Sequence, residues 1–211
     1  MKFQRAILFA IIAVSYDFLY KSVATVVPSV FRNLPVVVAC GILSLVAAIG
    51  ILMFFVAFHR YYARQKSEKT AATFGIVGGA GLLLAQSITL LSVIIPSLRL
   101  EMFDSLKLSI LVVSSIAILL FFATLYREAA RSERYIPLLG ATRLAIIGSA
   151  ASATLLIVVN VNYFTGGAIA GFLHSRPYIV VLSFGLLAFS VFSMVYFLAA
   201  LSKVVRGFED I

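Results

Sequence analysis

The chain has 211 residues, of which 63% are hydrophobic and only 12% are charged, and its mean hydropathy is +1.11. A soluble domain carries about twice that share of charged residues to cover its surface, so this composition excludes an ordinary soluble globule. The formal net charge of +9 is compatible with an acidic partner such as nucleic acid or anionic lipid.

Six apolar segments are each long enough to cross a bilayer, because about 20 helical residues match a hydrocarbon core of about 30 Å. Short connectors containing charge, Pro or Gly separate them. The sequence therefore predicts an all-α integral membrane protein with six transmembrane helices in one domain, residues 1–211. We place the spans near residues 6–27, 35–58, 74–96, 106–126, 142–163 and 177–202.

The positions of Lys and Arg predict the direction of these spans. The chain has 17 such residues; twelve flank the span ends on the side of the N-terminus, and the other five flank the opposite ends. Because positive charge accumulates on the cytoplasmic side, we expect both termini in the cytoplasm and a location in the plasma membrane. The charge then reflects topology and contact with anionic headgroups, and a nucleic-acid partner is not expected.

The first span contains two ionisable residues at unusual depth. Asp17 lies near its middle, and Lys21 lies one helical turn further on the same face, so we expect an ion pair. These charges interrupt the apolar run, which favours a retained span over a cleaved signal peptide. The pair is either part of a proton or ion relay or a buried structural ion pair, with Lys21 also reaching toward the outer headgroups.

Other polar residues would extend a path beside this pair. They are Tyr16 and Tyr20 in the first span, Gln86 in the third and Asn160 in the fifth. The simpler interpretation of Gln86 is a hydrogen bond across helices, and Asn160, near a span end, is typical of a cap or a helix interface.

Small residues line one face of each odd-numbered span. They permit close approach of helix backbones, which predicts contacts at the bundle centre or between subunits. These residues are Ala6, Ala10 and Ala13 in the first span, Gly75 and Gly79 in the third, and Ser149 and Ser152 in the fifth.

The chain also shows an internal repeat. Residues 49–55 match residues 116–122 at an offset of 67, and Arg60 aligns with Arg127 at the same offset. The third pair of spans fits loosely, through Phe197 and Lys203. We interpret this pattern as a helical hairpin of about 70 residues used three times, over residues 1–70, 71–138 and 139–211.

Few residues suit catalysis or a cofactor. The single cysteine is Cys40, and the two histidines, His59 and His174, are expected on opposite sides of the bilayer, so no haem or metal site is predicted. The Gly-rich segment 163–174 is too short to cross the bilayer and is predicted to be interfacial rather than re-entrant.

Three functional classes remain. A non-catalytic scaffold or accessory subunit, bound to other membrane subunits or to its own copies, is favoured by the scarcity of polar residues and by the small-residue faces. A small oligomeric channel or transporter using Asp17, Lys21 and Gln86 is the alternative, although a hydrated route needs more polar lining. An intramembrane enzyme or sensor is the third, because no nucleophile–base pair is evident.

Overall fold

The computed structural model describes residues 3–26, 33–95, 101–131, 133–164 and 177–209. These residues contain six long helices and no β-strand, and all six helices are long and apolar enough to cross a membrane. The prediction of an all-α chain with six such segments is confirmed. The helices are α1 (Phe3–Val26), α2 (Leu34–Ala57), α3 (Lys66–Ile94), α4 (Glu101–Ala129), α5 (Leu139–Phe164) and α6 (Pro177–Glu209).

Several helices extend beyond the apolar segments that predicted them. The helix that carries the third span begins at Lys66, about two turns before the apolar segment placed near residue 74. Its first turn is stabilised by a capping box, in which the Gln65 side chain accepts from the backbone of Glu68 and the backbone N–H groups of Arg64 and Gln65 donate to the Glu68 carboxylate. Such a cap satisfies the free N–H groups of a helix start without apolar side chains.

Two tight turns occupy segments that the sequence assigns to connectors. A π-helical turn, Phe58–Tyr62, continues directly from α2, and the Ala63 N–H ends it by donating to the Phe58 carbonyl at 2.9 Å. A 3-10 turn, Glu133–Leu138, leads into α5. Both turns keep the backbone hydrogen-bonded where the chain reverses, so little unpaired backbone is left near the lipid.

The six helices form a closed ring in chain order. Each helix packs against its neighbours in sequence, and α1 also packs against α6. Among the described residues, long helices that are not neighbours in the ring share no extensive contact. We call the end at which α1, α3 and α5 begin and α2, α4 and α6 end the basal end; it is the end predicted to face the cytoplasm.

Aromatic side chains fill the centre of the ring toward the basal end. Ring centroids lie 5.0 Å apart between Phe55 and Phe121 and 5.0 Å apart between Phe122 and Phe197, both pairs edge to face. This geometry favours aromatic pairs beyond simple burial. We call the group the phenylalanine cluster; its members, all with 0% exposure, are Phe54, Phe55, Phe58, Phe121, Phe122 and Phe197.

Glycines let α3 fit closely between α2 and α4. A methyl group on Gly75 would overlap the ring of Phe55, and one on Gly79 would lie 3.0 Å from the Cα of Leu52. On the other face of α3, a methyl group on Gly78 would lie 2.9 Å from the backbone oxygen of Ser114 in α4. The small residues of α3 therefore contact other helices of the same chain.

The remaining small residues of the predicted packing faces are placed as follows. Ala6, Ala10 and Ala13 are buried on α1, and Ser149 and Ser152 are half-buried on α5. A residue outside the predicted set, Gly148, also lies close to α6, because an added methyl group there would overlap the Ser193 hydroxyl.

Candidate functional site

The polar residues of α1 lie together near its centre. Asp17, Tyr16 and Tyr20 are all half-buried, and the two tyrosine rings stack with centroids 6.4 Å apart. Tyr16 also lies near Cys40 of α2. Lys21 belongs to α1, but its side chain lies outside what the structure describes, so the Asp17–Lys21 ion pair stays a prediction.

The other members of the predicted polar path lie on separate helices. Gln86 is half-buried on α3 and Asn160 is half-buried on α5. In the ring, α2 stands between α1 and α3, and α6 stands between α1 and α5. A path joining Asp17, Gln86 and Asn160 would therefore have to run through the interior of the ring, and it also stays a prediction.

Several hydroxyl side chains along the spans bond to their own helices, although the buried Ser44 hydroxyl of α2 has no hydrogen-bond partner among the described residues. Donors and carbonyl acceptors are 2.6–2.9 Å apart and lie three or four residues apart in sequence. Such bonds satisfy Ser and Thr inside a helix, so these groups do not require water. The pairs are Ser87 with Leu83, Thr89 with Ala85, Ser114 with Ile110, Thr142 with Leu138 and Ser193 with Ser190.

A second polar region lies at the basal end, between the first turn of α3 and the last turns of α4. It is a cleft of about 610 Å³, a size within the usual range for small-molecule sites. We call it the basal cleft. Its lining residues are Gln65, Lys66, Ser67 and Thr70 from the start of α3, and Thr124, Arg127, Glu128 and Arg131 from α4 and the turn that follows.

Charges of both signs line the basal cleft. Lys66, Arg127 and Arg131 are exposed, whereas Glu128 is only 9% exposed. Within the described part of the chain, the Glu128 carboxylate has no hydrogen bond and no ion pair. The other buried acid nearby, Glu68, is already used by the α3 cap. The cleft therefore combines an unpaired carboxylate, on a largely buried residue, with a cationic rim.

Sequence reasoning missed this cleft because it treated the basic residues only as a topology signal. Glu128 carried the one available clue, a carboxylate at the end of an apolar helix between two arginines. Its meeting with Lys66 depends on the packing of α3 against α4. Most of the predicted interfacial segment 163–174, including His174, lies outside the described residues.

The described residues contain no group of three or more His, Cys, Asp or Glu side chains placed to hold a metal ion. Comparisons of the chain with protein-family models, with curated protein sequences and with solved structures find no match.

Proposed function

We propose that this polytopic membrane protein is a non-catalytic scaffold or accessory subunit of a membrane complex. The observation that supports the proposal most strongly is the phenylalanine cluster. Its six buried rings occupy the centre of the helix ring toward the basal end, where an ion or polar solute would need a hydrated lining. The Ser and Thr hydroxyls that bond within single helices also support the proposal, because such groups do not require water.

The outer surface of the ring suits contact with lipid or with other membrane helices. Large apolar side chains project from several helices, among them Ile12 on α1, Val113 on α4 and Phe192 on α6. Lipid tails are as apolar as these side chains, so a partner helix can replace lipid on this surface without removing water from it. We propose that other membrane subunits or further copies of the chain cover part of this surface.

We further propose that both termini lie in the cytoplasm and that the protein resides in the plasma membrane. The test replaces Cys40 with Ser and introduces one new cysteine at a time. A membrane-impermeant maleimide applied to intact cells is expected to label Asp104→Cys, at the outer start of α4, and to leave Lys66→Cys unlabelled. The reverse pattern would overturn the orientation.

The three-hairpin organisation over residues 1–70, 71–138 and 139–211 is likewise a proposal. It is supported by the placement of two aligned pairs, Phe54–Phe55 and Phe121–Phe122, which are separated by the repeat offset and meet in the phenylalanine cluster. Phe197 and Leu198, both fully buried, are the nearest counterpart in the third hairpin, although they follow Phe121–Phe122 by 76 residues rather than 67.

A small channel or transporter is the second candidate, favoured by the half-buried Asp17 beside Tyr16 and Tyr20. Purification in mild detergent and reconstitution into liposomes separate the two candidates. The scaffold proposal expects partner subunits in fixed stoichiometry and no proton or ion flux above that of protein-free liposomes. A lone homo-oligomer whose flux disappears in Asp17→Asn would refute it in favour of transport.

A further inference from the structure

The inner end of the basal cleft favours a cation. Glu128 is only 9% exposed, and no described residue offers its carboxylate a hydrogen bond or an ion pair. The carboxylate is not sealed from solvent but opens into the cleft, where a charge pair is screened less than on an open surface. Arg127 and Arg131 line the same cleft but lie beyond ion-pairing distance of this carboxylate. An incoming group that donates hydrogen bonds and carries positive charge would therefore be stabilised there.

The rim of the cleft favours an anion. Lys66, Arg127 and Arg131 are exposed around it, and they outnumber the one carboxylate in the cleft. At the start of α3, the N–H groups of Lys66 and Ser67 have no acceptor earlier in their own helix. The Glu68 carboxylate in the same turn offsets part of the positive helix end, so the basic side chains supply most of the positive charge. Helix starts with flanking basic side chains are typical binding places for phosphate.

One headgroup chemistry meets both requirements within a single ligand. We propose that the basal cleft binds a phosphoethanolamine group, with its phosphate at the Lys66 and Arg131 rim and its primary ammonium against the Glu128 carboxylate. A primary ammonium donates hydrogen bonds to a carboxylate, whereas the quaternary ammonium of choline has no N–H to donate. A glycerol headgroup has the phosphate but lacks the positive charge. The cleft therefore distinguishes ethanolamine lipids from choline and glycerol lipids.

The length of α3 favours a membrane lipid as the source. The 29 residues of α3 span about 43 Å at 1.5 Å per residue, whereas the hydrocarbon core is only about 30 Å thick. The first turn of α3, which forms one wall of the cleft, therefore lies in the headgroup layer. Phosphatidylethanolamine of the same leaflet presents its phosphate and ammonium at this level.

Native mass spectrometry of the full chain tests the proposal. The chain is released from phosphatidylcholine nanodiscs that contain a minor share of phosphatidylethanolamine or phosphatidylglycerol. The wild-type chain is expected to retain phosphatidylethanolamine in preference to both other lipids. In Glu128→Gln this affinity should fall at least about tenfold, the equivalent of one lost charged hydrogen bond, while retention of phosphatidylglycerol should not fall. Arg131→Gln should weaken retention of both phospholipids.

Matched variants and a folding readout keep these results interpretable. Arg143→Gln removes an exposed cation from α5 outside the cleft, and Asp104→Asn removes an exposed acid near the start of α4; both should retain wild-type lipid preference. Melting of each variant is followed by a thiol-reactive dye on Cys40, so loss of binding is scored only in folded protein. Unchanged phosphatidylethanolamine retention in Glu128→Gln, or equal retention of all three lipids by the wild type, would overturn the proposal.

A competition measurement separates lipid from soluble ligand. Water-soluble phosphoethanolamine added to the nanodiscs should displace the retained lipid only weakly, because it lacks the acyl chains that hold the headgroup at this depth. If it binds the detergent-purified chain while no phosphatidylethanolamine is retained from the bilayer, the lipid source is refuted.

Discussion

Replacement of Gly75 by Ala probes the closest contact between α2 and α3. An ideal Cβ at this position would overlap three atoms of the Phe55 ring. The ring has no room to withdraw, because it is fully buried and lies between Phe54, at 5.1 Å between centroids, and Phe121, at 5.0 Å. We therefore expect the added methyl group to push the two helices apart.

The magnitude follows from two opposing contributions. Overfilling a packed site costs about 1–3 kcal/mol, whereas replacing Gly by Ala in a helix interior gains about 1 kcal/mol. Gly185, in α6, is the matched control, since a Cβ there would meet nothing within 4 Å and only the gain remains. The difference in unfolding free energy between Gly75→Ala and Gly185→Ala should thus be about 1–3 kcal/mol.

The assay uses the single cysteine of the chain as a reporter. Cys40 is a free, half-buried thiol on α2, so a thiol-reactive dye reports its exposure as the protein is heated in mild detergent. A difference of 1 kcal/mol corresponds to about 2–4 °C in Tm for a chain of this size. Gly75→Ala should melt below Gly185→Ala by at least that interval, and Phe55→Leu in the Gly75→Ala background should recover part of it.

One result would refute this reasoning. If Gly75→Ala melts at or above the temperature of Gly185→Ala, the Phe55 ring has space to move and α3 does not depend on glycine at this position. Failure of Phe55→Leu to recover any stability would lead to the same conclusion, because the overlap would then involve another atom.

Two further substitutions test the α3 cap and the phenylalanine cluster. Glu68→Ala removes the acceptor of two backbone N–H groups and should lower the unfolding free energy by about 1–2 kcal/mol. The control, Asp104→Ala, breaks an exposed pair with Lys107 and should lower it by less than about 1 kcal/mol. Equal melting temperatures of the two variants would contradict the stabilising role of the cap. Phe121→Ala should lower the unfolding free energy by about 3–5 kcal/mol. Phe192 is 62% exposed, so Phe192→Ala should lower it by less than about 1 kcal/mol. Both are measured with the same dye, and similar losses would show that the phenylalanine cluster is not the core.

The number of helices long and apolar enough to span a membrane was predictable because it depends only on local composition. Each span needs enough consecutive apolar residues to match the hydrocarbon core, and this requirement is visible in any window of the sequence. The ends of the helices were less predictable, since α3 begins at Lys66 through a cap formed by Gln65 and Glu68. Hydrogen bonding of the backbone, and not hydropathy, sets that boundary.

The core and the basal cleft depend on contacts between distant parts of the chain. The small residues of the odd-numbered spans indicated their contact faces. The alignment of Phe54–Phe55 with Phe121–Phe122 was also visible in the sequence, but low hydropathy contrast within α2 and α4 gave no sign of which of their faces pointed inward. Glu128 and Lys66 are separated by the whole of α3 and most of α4. Their common cleft exists only because these two helices pack side by side, and no periodicity reports that pairing.

The closed ring has a consequence for the way the chain can be built. Every extensive helix contact joins sequence neighbours except that of α1 with α6, so each newly made helix can dock on the one before it during synthesis. Low sequence separation between contacting residues favours rapid folding. α1 begins and α6 ends at the same end of the bundle. A linker from the end of α6 to the start of α1, with new ends opened between two other helices, should therefore yield a folded circular permutant. In such a chain, the contact between α1 and α6, which otherwise forms last, becomes one of the first.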